Sequence, residues 1–88
     1  CDYRNPAVAV FKDGGWRDSY KLKRGREHKG HTFHAFLGAG AAGRSPVGKM
    51  DWVFVRGKLR VTDVQIVDDQ RDGRYPSDHY FVGATLKL

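Results

Sequence analysis

The last ten residues of the chain carry its clearest structural signal, an alternation of side chains along the segment from His79 to Leu88. Apolar or aromatic side chains fall on every second position, at Tyr80, Val82, Ala84, Leu86 and Leu88, and alternate with Phe81, Gly83, Thr85 and Lys87. This alternation predicts a half-buried strand. The preceding segment contains Pro76 and brings Asp78 and His79 to the start of the strand. The strand therefore fixes where this carboxylate and imidazole can lie.

A second β-rich region predicts a hairpin. Its first strand alternates between two faces, one with Met50, Trp52 and Phe54 and the other with Asp51, Val53 and Val55. Arg56-Gly57-Lys58 supplies the turn, and Leu59 to Val67 forms the second strand. The parity of the apolar positions changes along this second strand, which predicts a bulge near Thr62-Asp63. The hairpin and the last strand predict a mainly antiparallel sheet.

One short helix is predicted in the first half of the chain, from Pro6 to Lys12. Asn5 can cap it, Pro6 suits the first helical position, and Gly14-Gly15 ends it. Arg17 and Asp18 then read as a surface pair that contributes little to stability. The stretch Lys21–Lys29 is predicted to be a mobile loop, and His31–Phe36 a strand. A glycine-rich loop is predicted at Gly38–Gly48, and a charged loop with a turn at Asp72-Gly73 is predicted at Asp68–Ser77. The fold class predicted from these elements is α+β.

Three polar residues in these elements can carry chemistry. Asp51 lies inside an apolar run, where an unpaired charge is costly, although an acid at a strand end can also be exposed. Asp78 precedes His79 directly, and a carboxylate can hold a divalent cation while an imidazole moves a proton. The alternative for Asp78 is a turn aspartate that accepts hydrogen bonds from local backbone amides.

These segments resemble the closing part of domains of the endonuclease/exonuclease/phosphatase superfamily. The run from Lys49 to Val55 is similar to the family's strand reading Ile-Asp-aromatic-Ile-Phe, and Ser77-Asp78-His79 is similar to the motif before its last strand. Order, spacing and flanking strands all agree, which makes the match specific. Thr32 to Phe36 is similar to a Thr-Phe-His-Gly-Phe segment of bacterial relatives, with Ala35 in place of glycine.

The resemblance implies a fold and an extent for the domain. Complete members of the family are four-layer α/β/β/α sandwiches, and residues 1 to 88 would be a single partial domain, the C-terminal portion of one. The family's central Gly-Asp-Phe-Asn motif does not occur in this sequence. Because Cys1 to Pro6 resembles the residues that come directly after that motif in the family, the chain is expected to be a fragment of a longer polypeptide.

The resemblance also implies a chemistry, the Mg²⁺-dependent hydrolysis of phosphoesters by in-line attack of water. The implied catalytic residues are His79 and Asp51, as a hydrogen-bonded pair, and Asp78, as a metal ligand or an acid that positions the nucleophile. Mg²⁺ or Mn²⁺ would be the cation, with most of its ligands coming from the absent part of the domain. The implied or candidate substrate-binding residues are His34, Phe33, Trp52 and Arg74. Phe33 and Trp52 are equally suited to core packing, and Arg74 to a solvated loop.

Charge and histidine spacing add two observations. The formal net charge is +6, and a basic surface attracts phosphates and polyanions, although a cluster such as Lys21 to Lys29 can also be only a solvated loop. His28, His31 and His34 do not predict a zinc site, because a strand would point the last two to opposite sides and no cysteine pair supports them. Cys1, the single cysteine, excludes an intrachain disulfide.

The predicted partners rest on these observations. A phosphoester substrate is expected, with nucleic acid favoured by the charge and lipid or inositol phosphates as alternatives. The isolated 88-residue chain is expected to be inactive and to associate with the rest of its domain or with itself. A rival hypothesis is a non-catalytic fragment or module that binds phosphate or nucleic acid. No run approaches the roughly 18 apolar residues of a membrane span.

Overall fold

The computed structural model describes residues 3–41 and 48–88, which form an α+β fold with two small antiparallel sheets. The elements in chain order are α1 (Pro6–Asp13), β1 (Arg17–Asp18), α2 (Ser19–Arg24), a 3₁₀ turn (Gly38–Ala41), β2 (Phe54–Val55), β3 (Arg60–Val67) and β4 (Phe81–Lys87). β1 pairs with β2, and β3 pairs with β4. The predicted α+β class is confirmed, with two helices in place of the one predicted and two small antiparallel sheets in place of one.

Helix α1 forms where the sequence predicts it. The Asn5 side chain accepts a 2.8 Å hydrogen bond from the backbone N–H of Ala7, and Pro6 occupies the first turn. These features satisfy a backbone donor that would otherwise lack a partner and preset the helical φ angle. The helix ends at Gly14, whose N–H donates to carbonyls of the last turn. Its buried residue is Val8.

Asp18 caps helix α2, which overlaps the stretch from Lys21 to Lys29 that the sequence predicted as a mobile loop. Its carboxylate accepts hydrogen bonds from the backbone N–H groups of Tyr20 (3.1 Å) and Lys21 (3.3 Å), as an N-cap aspartate does. Gly25, with a φ of 73°, ends the helix in the left-handed conformation. The prediction of a loop is therefore wrong as far as Arg24, because this cap and stop outweigh the polar composition between them.

A buried ion pair joins β1 to the segment that leads into β2. Lys49 Nζ lies 3.2 Å from Asp18 Oδ1, and the two side chains are only 0% and 7% exposed. Asp18 also accepts a 2.6 Å hydrogen bond from the Tyr3 hydroxyl, and the ammonium lies 4.0 Å from the centre of the Trp52 ring. Burial lowers the pKa of Lys49, and the Asp18 charge opposes that shift. Asp18 is thus not the surface residue that the sequence predicted.

Strand β3 pairs with β4 and not with β2, so the predicted hairpin is wrong. Gly57, with a φ of 78°, lies in the turn after β2. Strand β2 pairs with β1 and not with β3. The two residues of β2 offer too short an edge for β3, whereas β4 pairs with it along nearly its whole length. The register shifts between Val61 and Asp63, which confirms the predicted bulge.

The charged loop between β3 and β4 contains the predicted turn. Asp72 and Gly73 both have positive φ angles, 54° and 74°. Arg71 and Arg74 exchange two backbone hydrogen bonds of 2.9 Å across them. Paired left-handed residues match the twist of a tight two-residue turn, which is why an Asp-Gly sequence suits this position.

Residues 31–36 do not form the strand that the alternation predicted. Phe33 makes an isolated antiparallel bridge to His79, and the chain then turns at Ala35 and Phe36, whose φ angles are 50° and 66°. Left-handed angles are incompatible with an extended strand. At Gly38, also left-handed, an added Cβ would overlap the Tyr75 hydroxyl, so glycine permits this close approach.

The buried apolar core of the described residues is small. It consists of Val8, Val55 and Val64, whereas nine large apolar side chains are exposed, among them Phe11, Trp16, Leu22, Phe36 and Leu37. Within residues 3–41 and 48–88, no helix has the length and apolar character needed to cross a membrane. The predictions about Cys1 and about most of the loop from Gly38 to Gly48 lie outside the described residues.

The buried ion pair gives a stability prediction. Replacing Asp18 with Ala removes the cap of α2 and leaves the Lys49 ammonium buried without its carboxylate. Loss of one partner of a buried pair costs roughly 3–5 kcal/mol of unfolding free energy. Chemical denaturation followed by circular dichroism measures the change. The matched control is Asp13→Ala, an exposed carboxylate, with an expected change within about 0.5 kcal/mol. Equal effects of the two substitutions would show that the pair is not needed for folding.

Candidate functional site

Asp51 and His79 form the hydrogen-bonded pair that the sequence predicted. His79 Nδ1 lies 2.7 Å from Asp51 Oδ2, and the two side chains are about one-third exposed. Because an ionised carboxylate oxygen only accepts, Nδ1 carries the proton and donates a hydrogen bond to Asp51. Nε2 is then left to exchange a proton with another group.

Thr32 positions the backbone at Asp51. Its hydroxyl, which is fully buried, accepts hydrogen bonds from the backbone N–H groups of Met50 (2.8 Å) and Asp51 (3.1 Å). Its own N–H donates to the Gly48 carbonyl at 3.3 Å. Asp51 precedes β2 and is not part of a strand, so these bonds replace the sheet ladder that was expected to hold it.

The same residue, Thr32, also holds the chain beside His79. The Thr32 carbonyl accepts a 2.7 Å hydrogen bond from the backbone N–H of Tyr80. The N–H of His79 itself donates to the Ser77 hydroxyl at 3.1 Å, and the Phe33 ring meets the imidazole edge-on at 5.2 Å. Thr32 therefore connects both partners of the pair, one through its side chain and one through its backbone.

Asp78 lies on the opposite side of the imidazole. Its Oδ1 is 3.8 Å from His79 Nε2, which is beyond hydrogen-bond distance, and its side chain is 45% exposed. Its backbone carbonyl accepts hydrogen bonds from the N–H groups of His34 (2.8 Å) and Ala35 (3.2 Å). The backbone of Asp78 is thus fixed while its carboxylate faces solvent beside Nε2.

The electrostatic environment favours a protonated His79. Its pKa is raised above the ordinary 6.5 first by the hydrogen bond to Asp51, and further by the charges of Asp51 and Asp78, while burial opposes the shift. A raised pKa makes Nε2 of the neutral ring a stronger base. His79 also lines a small cavity of about 210 Å³ with Tyr75, Pro76 and Phe81.

The predicted substrate-binding residues are placed in different surroundings. Phe33 lies against the imidazole of His79. His34 is only 1% exposed, with its ring stacked on Tyr80 at 4.5 Å, and Trp52 packs on Lys49. Arg74 is exposed in the tight turn before Tyr75. The structure thus brings together Asp51, Asp78, His79 and Phe33, whereas the Trp52 ring packs on Lys49, Tyr3 and Phe54.

The carboxylates and imidazoles do not assemble a complete metal site in the part of the chain that the structure describes. Within residues 3–41 and 48–88, no group of three or more His, Cys, Asp or Glu side chains could hold an ion. Asp51 is hydrogen-bonded to His79, so Asp78 is the carboxylate at the site that remains available to coordinate a cation. Mg²⁺ takes six oxygen ligands, so Asp78 fits as one ligand and no more.

Sequence reasoning missed two residues that build this site. The sequence gives no signal of burial at Thr32, a polar residue between His31 and Phe33. Lys49 begins the run that resembles the family's strand, and its partner Asp18 lies 31 positions away in the sequence. The signal that could have identified Asp18 is its position before a helix that ends at Gly25.

The hydrogen bond between Asp51 and His79 predicts a measurable change of pKa. In Asp51→Asn the amide keeps the size of the carboxylate and loses its charge, so the pKa of His79 should fall back toward 6.5. An NMR titration of the imidazole protons measures it. Asp69→Asn, an exposed acid at the rim of the adjacent cavity, serves as the control and should leave this pKa nearly unchanged. An unchanged titration in Asp51→Asn would contradict the hydrogen bond.

The same pair predicts how stability depends on pH. Because folding raises the pKa of His79, the stabilisation is fully present below the unfolded value of about 6.5 and is lost as pH rises through the folded value. The difference in unfolding free energy between the wild type and Asp51→Asn should therefore be larger near about pH 6 than near about pH 9. Urea denaturation at the two pH values measures it. A larger difference at the higher pH would reverse the sign and refute the argument.

Comparisons with known proteins give no relative from which to transfer a function. The sequence matches no protein-family model, no curated protein and no solved structure.

Proposed function

We propose that Asp51, Asp78 and His79 form the proton-transfer part of a site that hydrolyses phosphoesters, most favourably phosphodiesters. The observation that carries the proposal is the 2.7 Å contact between His79 Nδ1 and Asp51 Oδ2, which leaves Nε2 beside the Asp78 carboxylate. An imidazole held by one carboxylate and open at its other nitrogen is suited to general acid–base catalysis.

The proposed step is in-line attack of water on phosphorus. As the water oxygen bonds to phosphorus, its proton passes to Nε2 of His79 and the bond from phosphorus to the leaving oxygen breaks. The Asp51 carboxylate stabilises the imidazolium that results and keeps the ring oriented. The imidazolium then returns its proton to solvent or to the leaving oxygen, so that no proton is gained or lost over the cycle.

A divalent cation is part of the proposal, with Mg²⁺ as the first choice and Mn²⁺ as the second. When bound, such a cation stabilises negative charge on the phosphoryl oxygens. Asp78 is the residue that would contribute a ligand, and its exposed carboxylate is free to do so. The described residues do not complete the coordination, so the proton transfers assigned here use only Asp51 and His79.

The wider assignment rests on the resemblance to the endonuclease/exonuclease/phosphatase superfamily. It includes the four-layer sandwich as the complete architecture and a nuclease-like substrate. The net charge of +6 supports a polyanion over an inositol or lipid phosphate, because basic surfaces attract polyanions regardless of sequence. Phe33, which lies edge-on to His79, is an aromatic side chain that could contact such a substrate.

The rival proposal is a module that binds phosphate or nucleic acid without catalysis. It is favoured by the exposed basic residues of α2 and the segment after it, namely Lys21, Lys23, Arg24, Arg26 and Lys29. The two proposals differ in what His79 does. A binding module needs no imidazole activated by a carboxylate, whereas the proposed hydrolysis uses one to accept the proton of water.

Replacing His79 with Ala tests catalysis. In the protein as its gene encodes it, with millimolar Mg²⁺, cleavage of bis(4-nitrophenyl) phosphate or plasmid DNA should fall by roughly 10²–10⁴-fold, the contribution of a general acid–base group. Lys58→Ala, an exposed residue in the turn after β2, is the matched control and should keep its activity. Cleavage that survives His79→Ala would refute the proposed role, and binding without cleavage in the wild type would support the rival module.

The pH dependence of hydrolysis gives an independent check. Because the neutral imidazole accepts the proton, activity should rise with pH through the raised pKa of His79, above 6.5. In Asp51→Asn this rise should move to lower pH while the maximal rate falls. A pH–rate profile of kcat/KM for both proteins measures the shift. An identical profile in the two proteins would show that the rise belongs to another group.

A further inference from the structure

Two concave surfaces meet beside His79. One is the cavity of about 210 Å³ that His79 lines, and the other is an open groove of about 450 Å³ that Arg71 and Arg74 line. Three residues line both the cavity and the groove, namely Asp69, Tyr75 and Pro76. The imidazole and the two arginines therefore border one continuous surface along the loop between β3 and β4.

The tight turn at Asp72-Gly73 brings the two arginines to the same side of the chain. Arg71 and Arg74 form an antiparallel bridge and exchange two backbone hydrogen bonds of 2.9 Å, so they lie directly opposite each other. Directly opposite residues of an antiparallel pair project their side chains from one face, with Cβ atoms about 5 Å apart. Both side chains are exposed, and both line the groove. The backbone of the turn thus makes the two guanidinium groups neighbours.

The arginine pair is not neutralised within the described part of the chain. The ion pairs found in residues 3–41 and 48–88 involve neither Arg71 nor Arg74. Like charges directly opposite each other on paired strands repel. An anion between the guanidinium groups removes that repulsion, and the planar guanidinium matches the oxygens of a phosphate. The pair is therefore suited to bind a phosphate group.

The wall shared by the cavity and the groove is aromatic and carries one carboxylate. The Tyr75 ring packs against the rings of His34 and Tyr80, with centroids 4.7 Å and 6.1 Å away, and these contacts hold it in place. A fixed aromatic ring beside basic side chains is a surface on which a nucleobase can stack. The exposed Asp69 carboxylate repels a free anion but accepts hydrogen bonds from the amino group of a base. The shared wall therefore favours a nucleotide over inorganic phosphate.

We propose that this surface binds the nucleotide next to the scissile phosphate of a single-stranded nucleic acid. The phosphate of that nucleotide lies between Arg71 and Arg74, and its base lies against Tyr75 with its polar edge toward Asp69. The inference rests on the proposed function, because it names the substrate on which His79 acts. Bases of a duplex are paired and stacked on one another, so an unpaired strand is the form that can place a base on this wall.

Binding of a short fluorescent DNA strand tests the proposal without cleavage. Anisotropy is measured in EDTA, on the protein as its gene encodes it, and the wild type should bind the single strand more tightly than a duplex of the same sequence. Arg71→Gln with Arg74→Gln should raise the Kd of the single strand about tenfold or more, because charge-assisted hydrogen bonds to a phosphate are lost. The slope of log Kd against log salt concentration should become less steep by roughly 0.7, the contribution of one phosphate contact.

The matched control is Arg60→Gln with Lys87→Gln. Arg60 and Lys87 are also a like-charged pair on opposite strands, at the other end of β3 and β4, and they line neither the cavity nor the groove. This control removes the same charge as the arginine variant and should leave Kd nearly unchanged. Equal weakening by the two double substitutions would overturn the proposal, because the overall charge would then account for binding.

An abasic strand of the same length tests the contact with the base. It keeps the phosphates and should bind the wild type about tenfold or more weakly than the normal strand, because stacking on Tyr75 is lost. Equal affinity for the abasic and the normal strand, or tighter binding of the duplex, would overturn the proposal.

Cleavage assays with Mg²⁺ separate this inference from the proposed function. Arg71→Gln with Arg74→Gln should raise KM for the single strand about tenfold, whereas hydrolysis of bis(4-nitrophenyl) phosphate, which has no neighbouring nucleotide, should stay nearly unchanged. Equal loss of both activities would contradict the subsite, since the arginines would then act on the scissile phosphate. Binding that depends on the arginine pair, without cleavage by the wild type, would refute the proposed hydrolysis and support the subsite.

Discussion

The ion pair between Asp18 and Lys49 is the interaction on which most of the described structure depends. Asp18 is the last residue of β1, caps α2 and accepts a hydrogen bond from the Tyr3 hydroxyl. Lys49 begins the segment that contains Asp51. One carboxylate thus connects elements that are far apart along the chain. Buried charges are costly unless they are paired and hydrogen-bonded. With so few apolar side chains fully buried, this polar contact holds together elements that a larger core would otherwise hold.

The position of Lys49 gives this pair a second consequence. Its backbone leads directly to Met50 and Asp51, whose N–H groups donate to the Thr32 hydroxyl. A change that loosens the ion pair would therefore also affect the proposed hydrolytic site, whereas a change at His79 would leave the ion pair in place.

Local chemistry decided which features could be predicted from the sequence. Helix α1 followed from Asn5 and Pro6, and the tight turn from Asp72-Gly73, because each signal acts on its own neighbours. The contact of Asp51 with His79 was predicted from a resemblance and from a charge in an apolar run. The pairing of β3 with β4 was not predicted, because a turn after β2 is compatible with β3 pairing with β2 or with β4. The burial of Lys49 was not predicted either, since none of its sequence neighbours indicates that it pairs with the distant Asp18.

The hydroxyl of Thr32 gives the molecule a weak point of a defined kind. A single oxygen accepts from both Met50 and Asp51, where a strand would have used separate carbonyls of a ladder. Rotation of that one side chain would therefore remove the acceptor of both amides together. Neither sheet contains Thr32, Met50 or Asp51, so the ladders of both sheets do not depend on this rotamer. The backbone that carries Asp51 is thus held by one side-chain oxygen, and a change at Thr32 would act on the acid–base pair without acting directly on either sheet.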